Sequence, residues 1–401
     1  MLSPIPEILD ELKAGRMIVL VDDERRENEG DFVVAAEHVT VDIVNFMTRI
    51  GGGYLCVAMD NDDCERLELH PQVASNTSVR GTPFTVSVDG SPNHGVSTGI
   101  SASDRAKTIQ LLADPNSTPN DFVRPGHINP LYAREGGVLA RTGQTEGSVD
   151  LCRMAGLLPA AAIIEIVRPD GEMARMPDLE QMCVEHNLKM CSVEQIIEQR
   201  LAHETLVTRA EPASGTTVNT PWGEFQLILF NSTIDAQPHL ALTVGGVGEL
   251  DGRGNVIESE EPVLIRVHRR DVLGDIFRVG EHPSSETLRA SMEQIQAAGK
   301  GALVYLRPEH VGEGLPGQIH RIQRPMDDDP NRPDLTRSEG VAARAQPMDT
   351  RNLGIGSQIL RELGLTKLRL LVSRARDYPA LHGFGLEITE QVELASTPTS
   401  S

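Results

Sequence analysis

The sequence predicts a two-domain protein of the α+β class, and three observations support this prediction. At 401 residues, the chain is long for a single hydrophobic core. Between His203 and Gly215 it turns polar and aperiodic, which is typical of a connection between domains. In the second half, strands and helices alternate in mixed order, as in α+β folds. We therefore predict domains over residues 1–203 and 217–394, a linker over 204–216 and a disordered tail over 395–401.

The first half opens with a predicted helix from Pro4 to Ala14, for which Ser3 is the expected cap and an apolar stripe at helical spacing is the evidence. Two short hydrophobic runs that follow, Met17–Val21 and Phe32–Ala36, predict buried strands. Further helices are expected over Val41–Arg49, over Asp104–Ala113, and after a capping box formed by Ser192 and Gln195.

The second half has the same kind of alternation. The pattern predicts strands over Thr217–Phe230, Val263–His268, Ala302–Leu306 and Leu368–Val372, and helices over Ser285–Ala298 and Ile355–Leu363.

Composition excludes several classes of function. A net charge of −21 argues against general nucleic-acid binding, because a phosphate backbone requires a basic surface. No apolar run approaches the roughly 20 residues of a membrane helix, and the first residues lack the order of a signal peptide, so we expect a cytoplasmic protein. The five cysteines contain no CxxC pair and fit neither a disulfide framework nor a zinc ribbon.

The most informative segment is the acidic turn, defined as Asp22 to Asp31, which carries six carboxylates and two arginines between the first two predicted strands. A solvated surface is the alternative interpretation of such a run. The flanking strands favour a tight loop held at a sheet end, where binding groups are common. Crowded carboxylates require a divalent cation or the arginines to offset their repulsion, and Mg²⁺ or Mn²⁺ prefers oxygen ligands. Arg25 or Arg26 would suit a phosphate.

Other segments add candidate groups. RTGQTE places donors at Arg141, Thr142 and Thr145 beside Gly143, where backbone amides could approach a phosphate. His127, in a Pro-Gly turn, could act as an acid or base, or be structural. Glu165 lies in the apolar run AAAIIEIV, where a carboxylate must be paired in a salt bridge, bound to a metal or protonated.

Together with the acidic turn, the segments FTVSVD, TGISASDRA, RPGHINPL, RTGQTE and DGEMARMPDL resemble 3,4-dihydroxy-2-butanone 4-phosphate synthase, a riboflavin-pathway enzyme, from Ile5 to Leu201. The resemblance implies an α+β fold, usually a homodimer. It also implies the conversion of D-ribulose 5-phosphate to L-3,4-dihydroxybutan-2-one 4-phosphate and formate with Mg²⁺ or Mn²⁺, where the ion is a Lewis acid and acidic side chains move protons.

The resemblance also assigns roles to residues. Glu27 and Gln144 match the metal ligands, although the family has histidine where this chain has Gln144. An amide oxygen can bind Mg²⁺ or Mn²⁺, but more weakly than imidazole binds Mn²⁺. His127 and Glu165 match the two positions essential for catalysis. The substrate-binding set comprises Arg26, Glu27, Asp31, Glu165 and the phosphate-binding loop of Arg141, Thr142, Gly143, Gln144 and Thr145.

The second half resembles GTP cyclohydrolase II from Thr217 to Leu394, through TPWGEF, IRVHRRDVLGDIF, VYLRPEHVGEGL, MDTRNLGIGSQIL and HGFGLEI. That family needs a three-cysteine zinc site to activate water. The matching positions here are Asp271, His282 and Ser284, so zinc is not expected.

Of the other catalytic positions of that family, some keep the family's residue in this chain and others do not. Asp349 and Arg351 match its catalytic pair, but Val372 and Asp377 stand where it has threonine and lysine, and EHVG replaces EGRG. We expect a lyase that acts on a sugar phosphate and carries a silent second domain. Two alternatives stay open: a bifunctional enzyme that also hydrolyses GTP, and a non-catalytic regulatory protein.

Overall fold

The structure, a computed structural model, describes residues 2–23, 26–74, 76, 78, 82–279, 283–308, 350–373 and 385–394. The chain divides into two compact units, Met1–Gln199 and Arg200–Ser401. Arg25, His282, Asp349, Asp377, EHVG and the predicted tail lie outside the described residues, as does the side chain of Arg351.

The first unit is built on one mixed sheet. Its strands are β1 (Ile18–Val21), β2 (Gly30–Ala35), β3 (Cys56–Met59), β4 (Val88–Gly90), β5 (Phe122–Tyr132), β6 (Ala160–Glu165) and β7 (Met190–Ser192), in the order β4-β5-β3-β6-β2-β1-β7. Its helices are α1 (Ile5–Lys13), α2 (Val41–Phe46), α3 (Asn61–Arg66), α4 (Ala102–Ala113), α5 (Gln144–Ala155), α6 (Met176–His186) and α7 (Val193–His203).

Most helix predictions are confirmed with small shifts at the ends. The capping box is present, because the Ser192 amide donates to Gln195 Oε1 (3.0 Å) and the Gln195 amide donates to Ser192 Oγ (3.2 Å). The prediction that Ser3 caps α1 is wrong: the cap position is Pro4, and the Ser3 amide donates instead to the Met190 carbonyl. The predicted helix over Val41–Arg49 ends as α-helix at Phe46 and continues as one wider π-helical turn, Met47–Gly51.

Strands β1 and β2 are buried on both faces of the sheet, which explains why they read as continuous hydrophobic runs. One face carries a core that includes Phe32, Val34 and Ile164. The other face packs against α5, which contacts β1, β2, β3 and β6. A Cβ added to Gly147 of α5 would lie 3.0 Å from Leu20 Cδ2, so this glycine permits the close approach.

The second unit also contains a mixed sheet. Its strands are β8 (Val207–Arg209), β9 (Thr216–Thr220), β10 (Gly223–Ser232), β11 (His239–Val244), β12 (Val263–Arg269), β13 (Gly301–Leu306), β14 (Lys367–Val372) and β15 (Glu387–Glu393). The order is β15-β14-β12-β13-β11-β10-β8, and β9 pairs with β10. The described helices are α8 (Val272–Asp275), α9 (Ser284–Ala298) and α10 (Thr350–Glu362).

Two features of this unit differ from the predicted elements. The single strand predicted over Thr217–Phe230 is a hairpin, in which Gly223 of β10 pairs with Thr220 of β9. Pro221 breaks the run because proline has no backbone N–H to donate. The predicted linker contains strand β8. This strand has three residues, which are too few to show the alternation of buried and exposed side chains by which a strand is predicted. Both sheets combine parallel and antiparallel pairs, which confirms the α+β class.

Within the described part of the chain, no helix combines the length and hydrophobicity needed to cross a membrane.

Candidate active site

The acidic turn is organised by the buried side chain of Asp22. Its carboxylate accepts hydrogen bonds from the amides of Glu27 (3.1 Å) and Glu29 (2.9 Å), and from Arg26 Nη1 (2.7 Å). Asn28 adopts a left-handed backbone conformation with φ of 56°, which asparagine tolerates better than most residues. Residues 26–31 of the turn are therefore held in a defined conformation by Asp22 and do not form a solvated run of charge.

Arg175, which precedes α6, binds the backbone of the acidic turn. Its Nη1 atom donates to the carbonyl of Glu27 (2.8 Å) and to that of Asn28. This contact connects the segment DGEMARMPDL to the acidic turn. The acidic turn and DGEMARMPDL, which are far apart in sequence, are thus in direct contact.

Asp31 and Glu165 are brought together by strand pairing. They are direct partners in the antiparallel register of β2 with β6. Glu165 Oε2 accepts a hydrogen bond from the Tyr54 amide (2.8 Å), and within the described residues it takes part in no ion pair of the kind predicted as its structural alternative. Burial, and then the charges of Glu165, Glu27 and Glu29, raise the pKa of Asp31 well above its ordinary value.

Arg26 joins the acidic turn to the start of α5. Its Nη1 atom lies 2.9 Å from Glu27 Oε2 and 2.9 Å from Gln144 Oε1. Gln144 is the first residue of α5 and is 6% exposed. The two side chains predicted to bind metal therefore direct oxygen atoms toward one point.

The RTGQTE segment forms the beginning of α5, with Gly143 as its N-cap. Arg141 Nη1 donates to Glu146 Oε2 (2.6 Å), and the Glu146 side chain is fully buried. A Cβ on Gly143 would lie 2.4 Å from Arg141 Nη1 and 3.0 Å from Arg26 Nη2, so both guanidinium groups lie close to this glycine. Two guanidinium groups and a helix N-terminus meet at this place, which is suited to a phosphate. Thr142 is exposed and Thr145 is buried.

His127 lies on β5 and is paired with Asp89 at the β4 edge of the sheet. The ring Nδ1 is 2.7 Å from Asp89 Oδ2, and the His127 amide donates to Asp89 Oδ1 (2.8 Å). The pairing of Asn129 with Cys56 and of Cys56 with Ile163 places His127 and Glu165 on the same face. They are two strands apart, about 10 Å at ordinary strand spacing.

Several residues of this site escaped prediction as individuals. Asp22, Asp89, Glu146 and Arg175 all lie inside segments that the sequence singles out, but their partners are distant in the chain. Their signal was the density of glycine, proline and polar or charged residues in these segments. That signal identifies a segment and does not identify which side chain orients which.

In the second unit, two positions that match zinc cysteines belong to a hydrogen-bonded network centred on Asp275. Ser284 Oγ lies 2.6 Å from Asp275 Oδ1 and 3.1 Å from Asp271 Oδ2. The other Asp275 oxygen accepts from Tyr305 Oη (2.7 Å) and from the Asp271 amide (2.9 Å). His268 Nε2 lies 3.0 Å from Asp275 Oδ1.

This donor set does not fit the three-cysteine zinc centre of the GTP cyclohydrolase II family. All five cysteines precede Glu194, so the second unit has no thiolate. The carboxylate of Asp271 also caps α8 by accepting from the Gly274 amide (3.2 Å). Val372 is a buried residue of β14, with a hydrocarbon side chain at the place of a catalytic threonine. Among the described residues, no group of three or more His, Cys, Asp or Glu side chains is arranged to hold a metal.

Comparison with known proteins identifies the parts of the chain. Residues 6–199 match the 3,4-dihydroxy-2-butanone 4-phosphate synthase family, and residues 211–393 match the GTP cyclohydrolase II family. The riboflavin biosynthesis protein RibBA of Aquifex aeolicus is 42% identical over 396 residues, which cover 99% of this chain and 93% of that protein. RibBA of Cytophaga hutchinsonii is 43% identical over 401 residues, which cover 99% of this chain and 94% of that protein.

A solved structure is similar over both units. The crystal structure of RibBX, a two-domain 3,4-dihydroxy-2-butanone 4-phosphate synthase from A. baumannii, is 32% identical in sequence with a TM-score of 0.76. The match covers 98% of this chain and all of that one (100%). The chain therefore belongs to the family of riboflavin biosynthesis proteins in which a 3,4-dihydroxy-2-butanone 4-phosphate synthase domain precedes a GTP cyclohydrolase II domain.

Proposed function

We propose that the first domain converts D-ribulose 5-phosphate to L-3,4-dihydroxybutan-2-one 4-phosphate and formate. The observation that carries this proposal is the contact of Arg26 with both Glu27 and Gln144. It brings the carboxylates of the acidic turn beside the N-terminus of α5. Groups that suit a cation and groups that suit a phosphate therefore lie next to each other, as a sugar phosphate with a bound metal requires.

The phosphate end of the substrate is assigned to the start of α5. Arg141 and Arg26 supply guanidinium groups, and the first amides of the helix have no partner within the helix itself. Gly143 lies beside both guanidinium groups. Thr142 and Thr145 complete this loop.

Glu27 and Gln144 would hold the divalent ion, Mg²⁺ or Mn²⁺. The fit is supported by the chemistry of the donors, because both offer oxygen and both already direct it at a cationic nitrogen. When bound, the ion polarises the substrate carbonyl and acidifies the neighbouring C–H. Asp22 stabilises the conformation of the turn by accepting hydrogen bonds from the amides of Glu27 and Glu29.

Proton transfers are assigned to the side chains on the α5 face of the sheet. Asp31 contacts substrate, and its raised pKa favours the protonated form, which can donate a hydrogen bond or a proton. Glu165 is fixed by the Tyr54 amide. His127 faces the same side two strands away, a separation that a five-carbon sugar can span. His127 and Glu165 are thus the proposed catalytic pair.

The test is the release of formate from ribulose 5-phosphate and Mg²⁺ by the purified full-length protein. We expect formate from wild type, loss of turnover in Glu27→Ala, and loss of turnover with a chelator. Exposed Glu65 of α3 supplies the matched control, since Glu65→Ala removes a carboxylate outside the site. Substrate binding without formate release would overturn the proposal in favour of the non-catalytic alternative.

For the second domain, we propose that it has no GTP cyclohydrolase activity. The support is the absence of cysteine after Cys191 and the engagement of Asp271 and Ser284 in the network around Asp275. No zinc-activated water is therefore assigned there. Incubation with GTP and Zn²⁺ should give no diaminopyrimidine product; such a product would show that the bifunctional alternative is correct. Asp349→Ala should leave formate release unchanged.

The proposal also includes a homodimer, as the resemblance implies, and a cytoplasmic location, as expected from the sequence. All five cysteines are free in the structure, which suits a reducing compartment. Light scattering coupled to size-exclusion chromatography measures the oligomeric state directly. A mass equal to one chain at working concentrations would exclude the dimer.

A further inference from the structure

We propose that Tyr54 binds the substrate, and that its ring packs against the carbon chain of the sugar phosphate between His127 and Glu165. The inference rests on the proposed function, which assigns those two residues to one site. Tyr54 lies on the segment that leads into β3, and β3 is the strand between β5, which carries His127, and β6, which carries Glu165. The two outer residues are separated by about 10 Å, and Tyr54 lies between them.

The register of β3 with β5 defines the position of Tyr54 on the side of His127. Cys56 pairs with Asn129 in this parallel register. Two residues earlier on each strand, the same register places Tyr54 beside His127, on the same face of the sheet. Leu55 belongs to the core on the opposite face, as the alternation of side chains requires. The Tyr54 side chain therefore faces the proposed site.

On the side of β6, the chain bulges at Tyr54. Gly52 pairs with Ile166, whereas the register of β3 with β6, continued past the end of β3, pairs Tyr54 with Glu165. One extra residue is therefore accommodated at Gly53, which is the arrangement of a β-bulge. Bulges of this kind alter the direction of a side chain and are frequent next to active sites.

The distance between Tyr54 and Glu165 is fixed by close backbone contact. The Gly53 amide donates to the Glu165 carbonyl (3.2 Å), and the Tyr54 amide donates to Glu165 Oε2 (2.8 Å). A Cβ on Gly53 would lie 2.5 Å from the Glu165 carbonyl oxygen and 2.6 Å from Oε2. Only glycine at this position lets the segment approach Glu165 so closely.

The ring of Tyr54 is accessible but held in place. Tyr54 is 56% exposed, whereas Cys56, two residues further along the same strand, is 3% exposed. The ring packs edge-on against Phe84 at the start of FTVSVD, with 6.2 Å between ring centroids. A tyrosine held in this way offers an apolar surface with a hydroxyl at its edge. This combination suits a sugar chain, which presents both C–H and hydroxyl groups.

The kinetic test uses the full-length protein and the release of formate. Tyr54→Ala should raise KM for ribulose 5-phosphate about tenfold and leave kcat close to the wild-type value, because contact with the carbon chain is lost in the bound and transition states alike. Tyr54→Phe, which keeps the ring, should retain the wild-type KM. Phe277→Ala removes an equally exposed aromatic ring (67%) from the second unit and should change neither constant. An unchanged KM in Tyr54→Ala overturns the inference, as does a tenfold rise in Tyr54→Phe.

A second variant separates contact with substrate from an indirect effect through Glu165. Gly53→Ala displaces Glu165, so it should lower kcat roughly 10²-fold, the cost of a misplaced catalytic group, with a smaller change in KM. If Tyr54→Ala gives this same pattern, with kcat lowered and KM unchanged, Tyr54 acts only through Glu165 and the inference is overturned.

Calorimetric binding of inorganic phosphate provides a further distinction. Phosphate is assigned to the start of α5 and does not reach Tyr54, so its dissociation constant should be the same in wild type and Tyr54→Ala. Weakening of phosphate by the same factor as ribulose 5-phosphate would show a general disturbance of the site and would overturn the inference.

The outcomes also separate this inference from the proposed function. Wild-type formate release with an unchanged KM in Tyr54→Ala would refute the role of Tyr54 and leave the synthase activity standing. If wild type binds ribulose 5-phosphate without releasing formate, the activity is refuted, and calorimetry still decides the inference: weaker binding by Tyr54→Ala supports it and equal binding refutes it. A wild-type protein that does not bind ribulose 5-phosphate would refute both.

Discussion

Asp31 of β2 lies directly opposite Glu165 of β6, so two carboxylates occupy paired positions on the face of the sheet that α5 covers. Like charges at paired positions oppose strand association, and burial adds to the cost of ionisation. Asp31 is 5% exposed. The first domain therefore has a site whose charge distribution is less favourable without a cation than with one.

The first prediction concerns stability and pH. Burial raises the pKa of Asp31 in the folded protein above the ordinary aspartate pKa of 3.8. The proton bound to Asp31 therefore stabilises the folded state fully below pH 3.8, and this stabilisation is lost as pH rises through the pKa that Asp31 has in the folded state. Asp31→Asn should raise the free energy of unfolding at pH 7 by about 1 kcal/mol or more while activity falls. Urea titrations at pH 4 and 7 measure the change; the gain should nearly vanish at pH 4.

Asp104→Asn is the control, for which the expected change in stability at pH 7 has the opposite sign. Hydrogen bonds from the hydroxyl and amide of Ser97 lower the pKa of Asp104. This substitution should decrease stability at pH 7. If Asp31→Asn also decreases stability at pH 7, the view of Asp31 as an unfavourable buried charge is incorrect.

The second prediction concerns metal affinity. Gln144→His should tighten Mn²⁺ binding about tenfold, roughly 1.4 kcal/mol, because imidazole binds Mn²⁺ better than an amide oxygen does. Electron paramagnetic resonance of free Mn²⁺ measures the dissociation constant without turnover. A variant with weaker binding would indicate that the pocket depends on the amide, whose oxygen accepts from Arg26 at 2.9 Å.

The third prediction concerns the phosphate loop. Burial raises the pKa of Glu146, and Arg141 partly offsets that rise through its charge and hydrogen bond. Glu146→Gln should release Arg141 and raise KM for ribulose 5-phosphate about tenfold, with a smaller change in kcat. Asp63→Asn, which alters the Arg66–Asp63 pair at 2.6 Å in α3, is the control and should leave KM unchanged. An unchanged KM in Glu146→Gln would exclude this role.

The fourth prediction concerns the second domain. Burial alone would raise the pKa of Asp275, but hydrogen bonds from His268 and Ser284 lower it to about 2. Its stabilising effect is thus present above the ordinary value of 3.8 and is lost as pH falls toward about 2. Asp275→Asn should destabilise this domain by about 1–3 kcal/mol at pH 7, because its hydrogen-bonding partners lose a charged acceptor. These partners are the side chains of His268, Ser284 and Tyr305 and the Asp271 amide.

The measurement for Asp275→Asn is thermal unfolding of the full chain alongside formate release. Formate release at a permissive temperature should be unchanged, and a zinc chelator should leave wild-type unfolding unchanged. A chelator that lowers the unfolding temperature of the second domain would show that a metal, and not this network, holds α8 and α9 in place.

Local features of the fold follow from the sequence because they depend on neighbouring residues. Thr40 and Ser101 cap helices through amides three residues later, and the Ser192–Gln195 box needs only one turn. The acidic turn is likewise evident from the two hydrophobic runs beside it. The β9–β10 hairpin was missed although Pro221 interrupts the run, because the sequence does not show that Gly223 pairs with Thr220 across the turn.

The sequence by itself determined the two-domain α+β organisation, the acidic turn and the absence of thiolates after Cys191, because these are properties of composition and of short-range order. Only the tertiary structure decided that Asp31 faces Glu165, that Arg26 reaches Gln144 and that Asp89 holds His127. The physical reason is strand order. The order β4-β5-β3-β6-β2 places side chains from distant segments in adjacent positions, and no local pattern encodes which strands become neighbours.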